Sequence, residues 1–509
     1  MIAFAALTGP LPKAGVMVLA ALAAVVLLVV DRRARALAAL GALVLSPVLL
    51  LGDIWHSPQL RLVHRHPLPA LLGALVALAV LAALAVLIAR RPPLMAVLAV
   101  VALPFRVPIQ AGGTTSNLLV PLYLVVAAGA LAQIVPALLG REPDGSRDGV
   151  PARAWRPGWI ERLLALYVVL YGLQSIYSPE FEKALQQMVF FYAPFALLYW
   201  LLRSLRWTPR LVRACLALTA ALAVLFTAIG VVEYATKTII LNPKLVVAND
   251  LHTYFTVNSV FFDPDIFGRY LALVMVLLAV LLLYDRPKRE QLGVAVVLAI
   301  LWGGLVLTLS RSSLAALLLG LAVLAALRWR PSRALIVVVA VIALGAAAVA
   351  VSPNTFGLNQ GLNGASSGRG GLVSGGIDLF GNRPLWGYGS GAFVKEYRAR
   401  HRGSSQTLSA SHTIPVTIGA EQGLIGLLAY LALVLVALVT LLRAARGDPV
   451  RAAIGAAFAA LVFHTMLYAD FLEDPVTWAL LGIGAALASS RLRAPAVSPA
   501  PAGEAAAVV

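Results

Sequence analysis

Apolar stretches of roughly 17 to 25 residues recur from one end of the chain to the other, the length a helix needs to cross about 30 Å of hydrocarbon. Inside a bilayer every backbone N–H and C=O must find its partner within the protein, so stretches of this kind fold as helices. Only 12% of the 509 residues are charged and 61% are hydrophobic, whereas a soluble domain carries about 25% charged residues. Such a chain cannot cover itself with polar surface. The expected fold class is therefore all-α, a polytopic membrane protein.

About fifteen spans are expected, at 14–30, 36–52, 68–89, 94–109, 118–139, 160–176, 186–202, 211–234, 264–284, 292–309, 313–327, 334–351, 414–442, 453–469 and 475–489. Basic clusters test that count. Arg32 to Arg35, Arg90/Arg91, Arg141 to Arg162, Arg203 to Arg213, Arg286 to Arg289, Arg328 to Arg333, Arg443 to Arg451 and Arg491/Arg493 fall at every second connection. The positive-inside rule assigns those connections to the cytoplasm, with the N-terminus outside and the C-terminus inside. This accounts for the net charge of +18 without a nucleic-acid partner, since the cations are spread between spans and form no single basic face. The first span lacks a preceding basic region and reads as a retained helix. Residues 494–509, rich in Ala and Pro, read as a disordered cytoplasmic tail. The lone cysteine, Cys215, lies in an apolar run, which excludes an intrachain disulfide and CxxC chemistry.

Two outer connections are long, 235–263 and 352–413. The second begins rich in Gly, Ser and Asn, then carries Arg369, Arg383, Lys395, Arg398, Arg400 and Arg402 against Asp378 and Glu396. A basic outer loop runs against the usual charge bias. Either it handles an anionic ligand at the outer face, or its cations rest at lipid headgroups.

Four groups could carry chemistry. Arg311, in Thr308-Leu309-Ser310-Arg311-Ser312-Ser313, falls between two apolar runs barely long enough to span; a guanidinium there either grips a phosphate bidentately or snorkels to the interface. Arg269 falls one turn inside a helix starting at Asp263-Pro264-Asp265, aimed at the same layer, with an ion pair to Asp263 or Asp265 as the simpler role. Asp263-Pro264-Asp265 also has the DxD spacing of metal-dependent nucleotide-sugar enzymes; helix capping explains it better, so no metal is assigned. His412, in Ser409-Ala410-Ser411-His412-Thr413-Ile414-Pro415, stands at a helix mouth, as a general base or a hydrogen-bonding residue. His56, His64 and His66 lack metal spacing, and His464, Glu233, Asp470, Glu473 and Asp474 read as interhelical hydrogen bonders. P-loop, HExxH and GxSxG elements are absent, which argues against an ATPase, a zinc protease or an α/β-hydrolase.

Three segments together resemble the O-antigen ligase and O-antigen polymerase superfamily: Phe262-Asp263-Pro264-Asp265-Ile266-Phe267-Gly268-Arg269; Thr308 to Ser313; and the run Asn382-Arg383-Pro384-Leu385-Trp386-Gly387-Tyr388-Gly389-Ser390-Gly391-Ala392-Phe393, leading to His412 and Glu421-Gln422-Gly423-Leu424-Ile425-Gly426. The resemblance implies a core over 94–493 of about twelve helices, including a long, partly helical periplasmic loop, preceded by about three extra helices in 1–93. It implies a bacterial inner-membrane glycosyltransferase that moves a glycan from undecaprenyl diphosphate onto an acceptor sugar, on a lipid-linked glycan or a lipid/glycan core, without cofactor or metal. Carried over by position, Arg269 and Arg311 would hold the diphosphate and His412 would activate the acceptor hydroxyl. Arg369, Arg383, Arg398, Arg402 and Glu421 are further candidate contacts to acceptor or glycan. Two departures concern the acceptor side: Thr413 follows the histidine where the family commonly has Asn, and Arg383 is inserted between Asn382 and Pro384. The rival class is a secondary transporter or lipid-linked glycan flippase, whose polar groups would gather near the midplane rather than at one face.

Overall fold

The computed structural model describes residues 9–55, 65–111, 114–140, 155–240, 255–284, 287–329, 369–401 and 411–491, with isolated positions 332, 336 and 339. In chain order the helices are α1 (Pro10–Leu28), α2 (Arg32–Ile54), α3 (Pro67–Arg90), α4 (Leu94–Ala102), α5 (Val120–Leu138), α6 (Trp159–Ser175), α7 (Phe181–Ser204), α8 (Pro209–Thr236), α9 (Pro264–Leu283), α10 (Lys288–Thr308), α11 (Arg311–Arg328), α12 (Arg369–Asn382), α13 (Phe393–Arg400), α14 (Ile414–Leu442), α15 (Pro449–Thr465) and α16 (Pro475–Arg491). Among the described residues ten are long and apolar enough to cross a membrane, and α15 and the apolar part of α16 are shorter apolar helices. The chain is an all-α polytopic membrane protein.

Proline at the first or second position opens many of these helices, where its missing N–H costs nothing and its φ is already helical. Side-chain caps add to this: Asp31 accepts from the Ala34 N–H at 2.7 Å and Asp448 from Val450 and Arg451 at 3.0 and 3.2 Å. The expected span 94–109 is corrected. Helix α4 stops at Ala102: Leu103 keeps helical backbone and donates to the Ala99 carbonyl, but Pro104 has no N–H for the next helical bond and its ring crowds the preceding turn. The chain continues as a two-stranded antiparallel hairpin, β1 (Val107–Ala111) with β2 (Thr114–Leu118), pairing Val107 with Leu118 and Ala111 with Thr114. Expected span 334–351, the loop stretches 352–368 and 402–410, and the tail 494–509 lie outside the described residues.

Without a hydrophobic force between helices in lipid, close approach relies on small residues. Gly172 of α6 lies against Ala20 of α1, and Gly320 of α11 between Val276 of α9 and Ala460 of α15. Helices α9, α11 and α15 pack mutually, as do α6 and α14, while α3 turns most of its apolar surface outward. At the end of the bundle that carries the basic connections, Trp155 sits between the guanidiniums of Arg35 and Arg203, 4.8 and 4.5 Å from its ring, and Arg203 pairs with buried Glu161.

Helix α14 is broken in mid-course. Gly423 has φ +66°, and a Cβ there would lie 2.4 Å from the carbonyl carbon of Leu385, so only glycine fits. The break frees backbone groups, and the loop before α13 satisfies them. Leu424 and Ile425 donate to the carbonyls of Pro384 and Leu385 (2.6 and 3.4 Å), while Tyr388 and Gly389 donate to those of Ala420 and Glu421 (3.1 and 2.7 Å). Non-helical backbone at such a place is tolerated only where protein covers it. This clasp explains why the segment around Gly387-Tyr388-Gly389 and the segment around Gln422-Gly423 occur together.

Candidate active site

Asp263 caps α9, its carboxylate accepting from the Asp265 N–H at 2.7 Å. The acidic pair thus serves the helix start, as capping predicts. Asp265 then faces the start of α11: the Ser310 and Ser312 hydroxyls donate to its carboxylate, the latter at 3.2 Å, and Ser313 donates to its carbonyl at 3.2 Å. Ser310 also caps α11 through the Ser313 N–H, and Ser312 and Ser313 each lie 3.2 Å from His464 Nε2. Gly268 makes the approach possible, because a Cβ there would meet Ser313 Oγ at 2.8 Å. The serine run around Arg311 is thus the surface on which the Arg269 helix docks.

Arg269 is 3% exposed. Its Nη2 lies 2.7 Å from Asp474 Oδ2 and its Nη1 donates to the Asp470 carbonyl at 3.5 Å. The ion pair weighed as the simpler role of Arg269 is made with Asp474, and not with Asp263 or Asp265, whose carboxylates serve the helix cap and the serines. The turn between α15 and α16 brings Asp474 from more than 200 residues away. Arg311, the first residue of α11, is exposed.

His412 precedes α14 with φ +57°, a left-handed conformation that costs a non-glycine residue about 1–2 kcal/mol. Its neighbours hold it there: Ser411 Oγ donates to the Thr413 carbonyl at 2.7 Å and accepts from the Thr413 N–H at 3.1 Å, and Thr413 Oγ1 donates to the Met466 carbonyl at 3.2 Å. The ring of Tyr468 lies between two histidines, 5.8 Å from His412 and 5.6 Å from His464, and its hydroxyl approaches Asp263. Burial, then the charge of Asp265, pushes the Asp263 carboxyl up to about 6. Arg269, the Arg311 helix start and His412 therefore meet in one polar layer at the end of the bundle opposite Trp155. Tyr468, at the centre of that layer, carries no signal in the sequence. His464 and Asp474 belong to it as the interhelical bonders they were read to be.

Behind His412 the first turns of α14 line a small cavity of about 40 Å³ with Thr417, Glu421, Tyr171, Tyr192 and Glu473, room for little more than water. The Glu421 carboxylate accepts from the N–H groups of Gly391 and Phe393 at 2.9 and 3.1 Å, so it pins the clasp loop. Glu473 accepts from Gln187 Nε2, and burial followed by Asp470 raises its carboxyl above the usual range. Arg383 and Arg400 both lie over the Tyr388 ring, at 4.5 and 4.9 Å, and Arg398 is exposed on α13. Arg369 is the first residue of α12, and Arg402 lies outside the described residues.

Residues 294–431 match the family model described as O-antigen ligase. The match supports the O-antigen ligase and polymerase superfamily. Within it fall Arg311, Arg383, His412, Glu421 and the whole clasp, whereas Arg269 lies upstream and joins them through α9. No curated protein sequence matches the chain. The family implies a membrane enzyme of the glycosyltransferase kind acting on lipid-linked glycans.

Proposed function

We propose that this chain transfers or polymerises a glycan from undecaprenyl diphosphate onto an acceptor sugar at the periplasmic face of the bacterial inner membrane, with its N-terminus outside and its C-terminus cytoplasmic. In this reading 94–493 form the catalytic core and 1–93 an addition to it. The observation that carries the proposal is the meeting of Arg269, the Arg311 helix start and His412 around Tyr468. Gathering these groups at one end, rather than at the midplane, favours an enzyme over a transporter.

His412 takes the proton of the acceptor hydroxyl, whose oxygen attacks the anomeric carbon from the face opposite the diphosphate. The bond from that carbon to the diphosphate oxygen breaks, the electron pair leaves with undecaprenyl diphosphate, and the anomeric configuration inverts. Arg311, exposed at the rim, and Arg269, held by Asp474, face the charge that develops on the leaving group. No metal or nucleotide takes part in this scheme.

The test uses purified protein with a lipid-linked oligosaccharide. His412→Ala should bind the donor as wild type does yet turn over about 10²- to 10⁴-fold more slowly; full activity in that variant removes the base. In cells, deletion that abolishes long surface glycans only would indicate a polymerase, and deletion that leaves long lipid-linked chains unattached would indicate a ligase. Gradient-driven uptake into proteoliposomes without any change in glycan length would overturn the enzymatic reading.

A further inference from the structure

Tyr468 stands at the centre of the polar layer, 9% exposed, and no step of the transfer scheme uses it. It belongs to the turn between α15 and α16. That turn is tied on one side to the segment of the base, where Thr413 Oγ1 donates to the Met466 carbonyl at 3.2 Å, and on the other to α15, where the Leu467 N–H donates to the His464 carbonyl at 3.0 Å.

Three contacts fix the phenol ring. The imidazoles of His412 and His464 lie 5.8 and 5.6 Å from its centre, tilted by 58° and 54°, within the roughly 4.5–7 Å of aromatic pairs. The Tyr468 hydroxyl approaches Asp263 and favours the charged form of that carboxylate. Both anchors are themselves held. Asp263 caps α9 through the Asp265 N–H, and the fully buried His464 has its Nε2 3.2 Å from the hydroxyls of Ser312 and Ser313 at the start of α11. The ring is therefore set by α9, α11 and α15 before it meets His412.

Backbone strain gathers at the same place. Of the six non-glycine residues with left-handed φ among the described residues, Leu309, His412 and Asp470 adjoin this layer. Such conformations persist only where the surroundings over-determine them. For His412 orientation matters, because Nδ1 is buried and leaves Nε2 as the nitrogen that can meet an acceptor hydroxyl. A base that works at Nε2 must carry its proton on Nδ1 and its lone pair on Nε2.

The charged groups around the Tyr468 ring are Asp263, Asp265 and Arg269 of α9 and Asp470 of its own turn. Arg311 is exposed at the start of α11, Asp474 is taken by Arg269, and Glu421 of α14 and Glu473 line the cavity behind His412. Tyr468 is thus the side chain that links the Asp263 carboxylate to the imidazole.

We propose that Tyr468 is the positioning residue of the base: anchored by Asp263 at its hydroxyl and by His464 at its ring, it holds the His412 imidazole in the orientation that turns Nε2 toward the acceptor hydroxyl. The proposal rests on the transferase reading and deepens it by a residue that touches neither substrate.

Kinetics and spectroscopy of the purified full chain in detergent micelles test it. Tyr468→Leu should lower kcat about 10²-fold, as a base displaced by about 1 Å does, with the donor KM within about twofold of wild type. Tyr468→Phe, which keeps the ring, should retain most of kcat. In nitrogen NMR of protein labelled at histidine, the His412 signal, identified by its loss in His412→Ala, should report Nδ1–H in wild type and a mixture of both tautomers in Tyr468→Leu. In Tyr468→Phe the pH midpoint of the carboxyl C=O infrared band that vanishes in Asp263→Asn should rise from about 6, because a hydroxyl favouring the charged form is gone. That band decides the anchor even if the leucine variant fails to fold. Wild-type kcat in Tyr468→Leu, a loss carried by KM alone, an unchanged His412 tautomer in that variant, or an unmoved midpoint in Tyr468→Phe would each overturn the role. Full transfer by His412→Ala removes the base itself, whereas slow transfer by His412→Ala beside fast transfer by Tyr468→Leu removes only the role of Tyr468.

Discussion

The Arg269–Asp474 pair offers the sharpest test of how the polar layer works. Both groups are almost fully buried and 2.7 Å apart. At an effective dielectric near 20 their attraction is about 6 kcal/mol, offset in large part by desolvation of both charges. Removing one partner leaves the other charge buried, which costs about 3–5 kcal/mol. Asp474→Asn is the informative substitution, because Asn keeps the cap that Asp474 Oδ1 gives to the Val476 N–H and changes only the charge. Unfolding in detergent micelles, followed by tryptophan fluorescence and denaturant titration, should show that loss. Arg269→Met should cost a similar amount, and the double variant Arg269→Met/Asp474→Asn clearly less than the sum. Ligand binding should move the other way: with its counter-charge removed, Arg269 has more positive potential to offer, so Asp474→Asn should bind inorganic pyrophosphate more tightly than wild type, and Arg269→Met more weakly. Costs below about 0.5 kcal/mol, or strictly additive ones, would refute the energetic argument. Equal loss of pyrophosphate binding in Asp474→Asn and Arg269→Met would refute the anion-binding role.

Gly423→Ala should destabilise by about 2–5 kcal/mol, combining left-handed strain with overpacking against Leu385, and limited proteolysis should cut the loop around Trp386 faster than in wild type. Asp263 supplies a pH signature. Its carboxyl is raised to about 6 in the fold, so the protonated form is favoured there; the stability linked to this group is complete below about pH 4 and is lost as pH rises through about 6. Asp263→Asn keeps the cap and should flatten thermal stability across that window by on the order of 2–3 kcal/mol.

Much of the site could be read along the chain because its parts are local. Asp263-Pro264 marks a helix start by cap chemistry, Ser310 does the same for α11, and Arg269, within two turns of the first start, and Arg311, at the second, must then lie near a helix end. The basic loop stood out because its charge runs against the positive-inside bias. What could not be read were the partners. Asp474 rather than Asp265 neutralises Arg269, Tyr468 mediates between His412 and Asp263, and Glu421 serves the Gly391 and Phe393 amides, since each contact joins helices far apart in sequence. The span expected at 94–109 failed for a related reason: apolar content fixes affinity for the membrane interior, but one proline, Pro104, decides how far the helix runs.

The amino-acid sequence by itself determined that this chain is a bundle of membrane-spanning helices and which helix ends carry charge, because length, apolarity and capping act within a few turns of the residue concerned. The tertiary structure decided which ends meet and the break of α14 at Gly423. Those depend on backbone groups left open by one segment and satisfied by another, a pairing that no local pattern encodes.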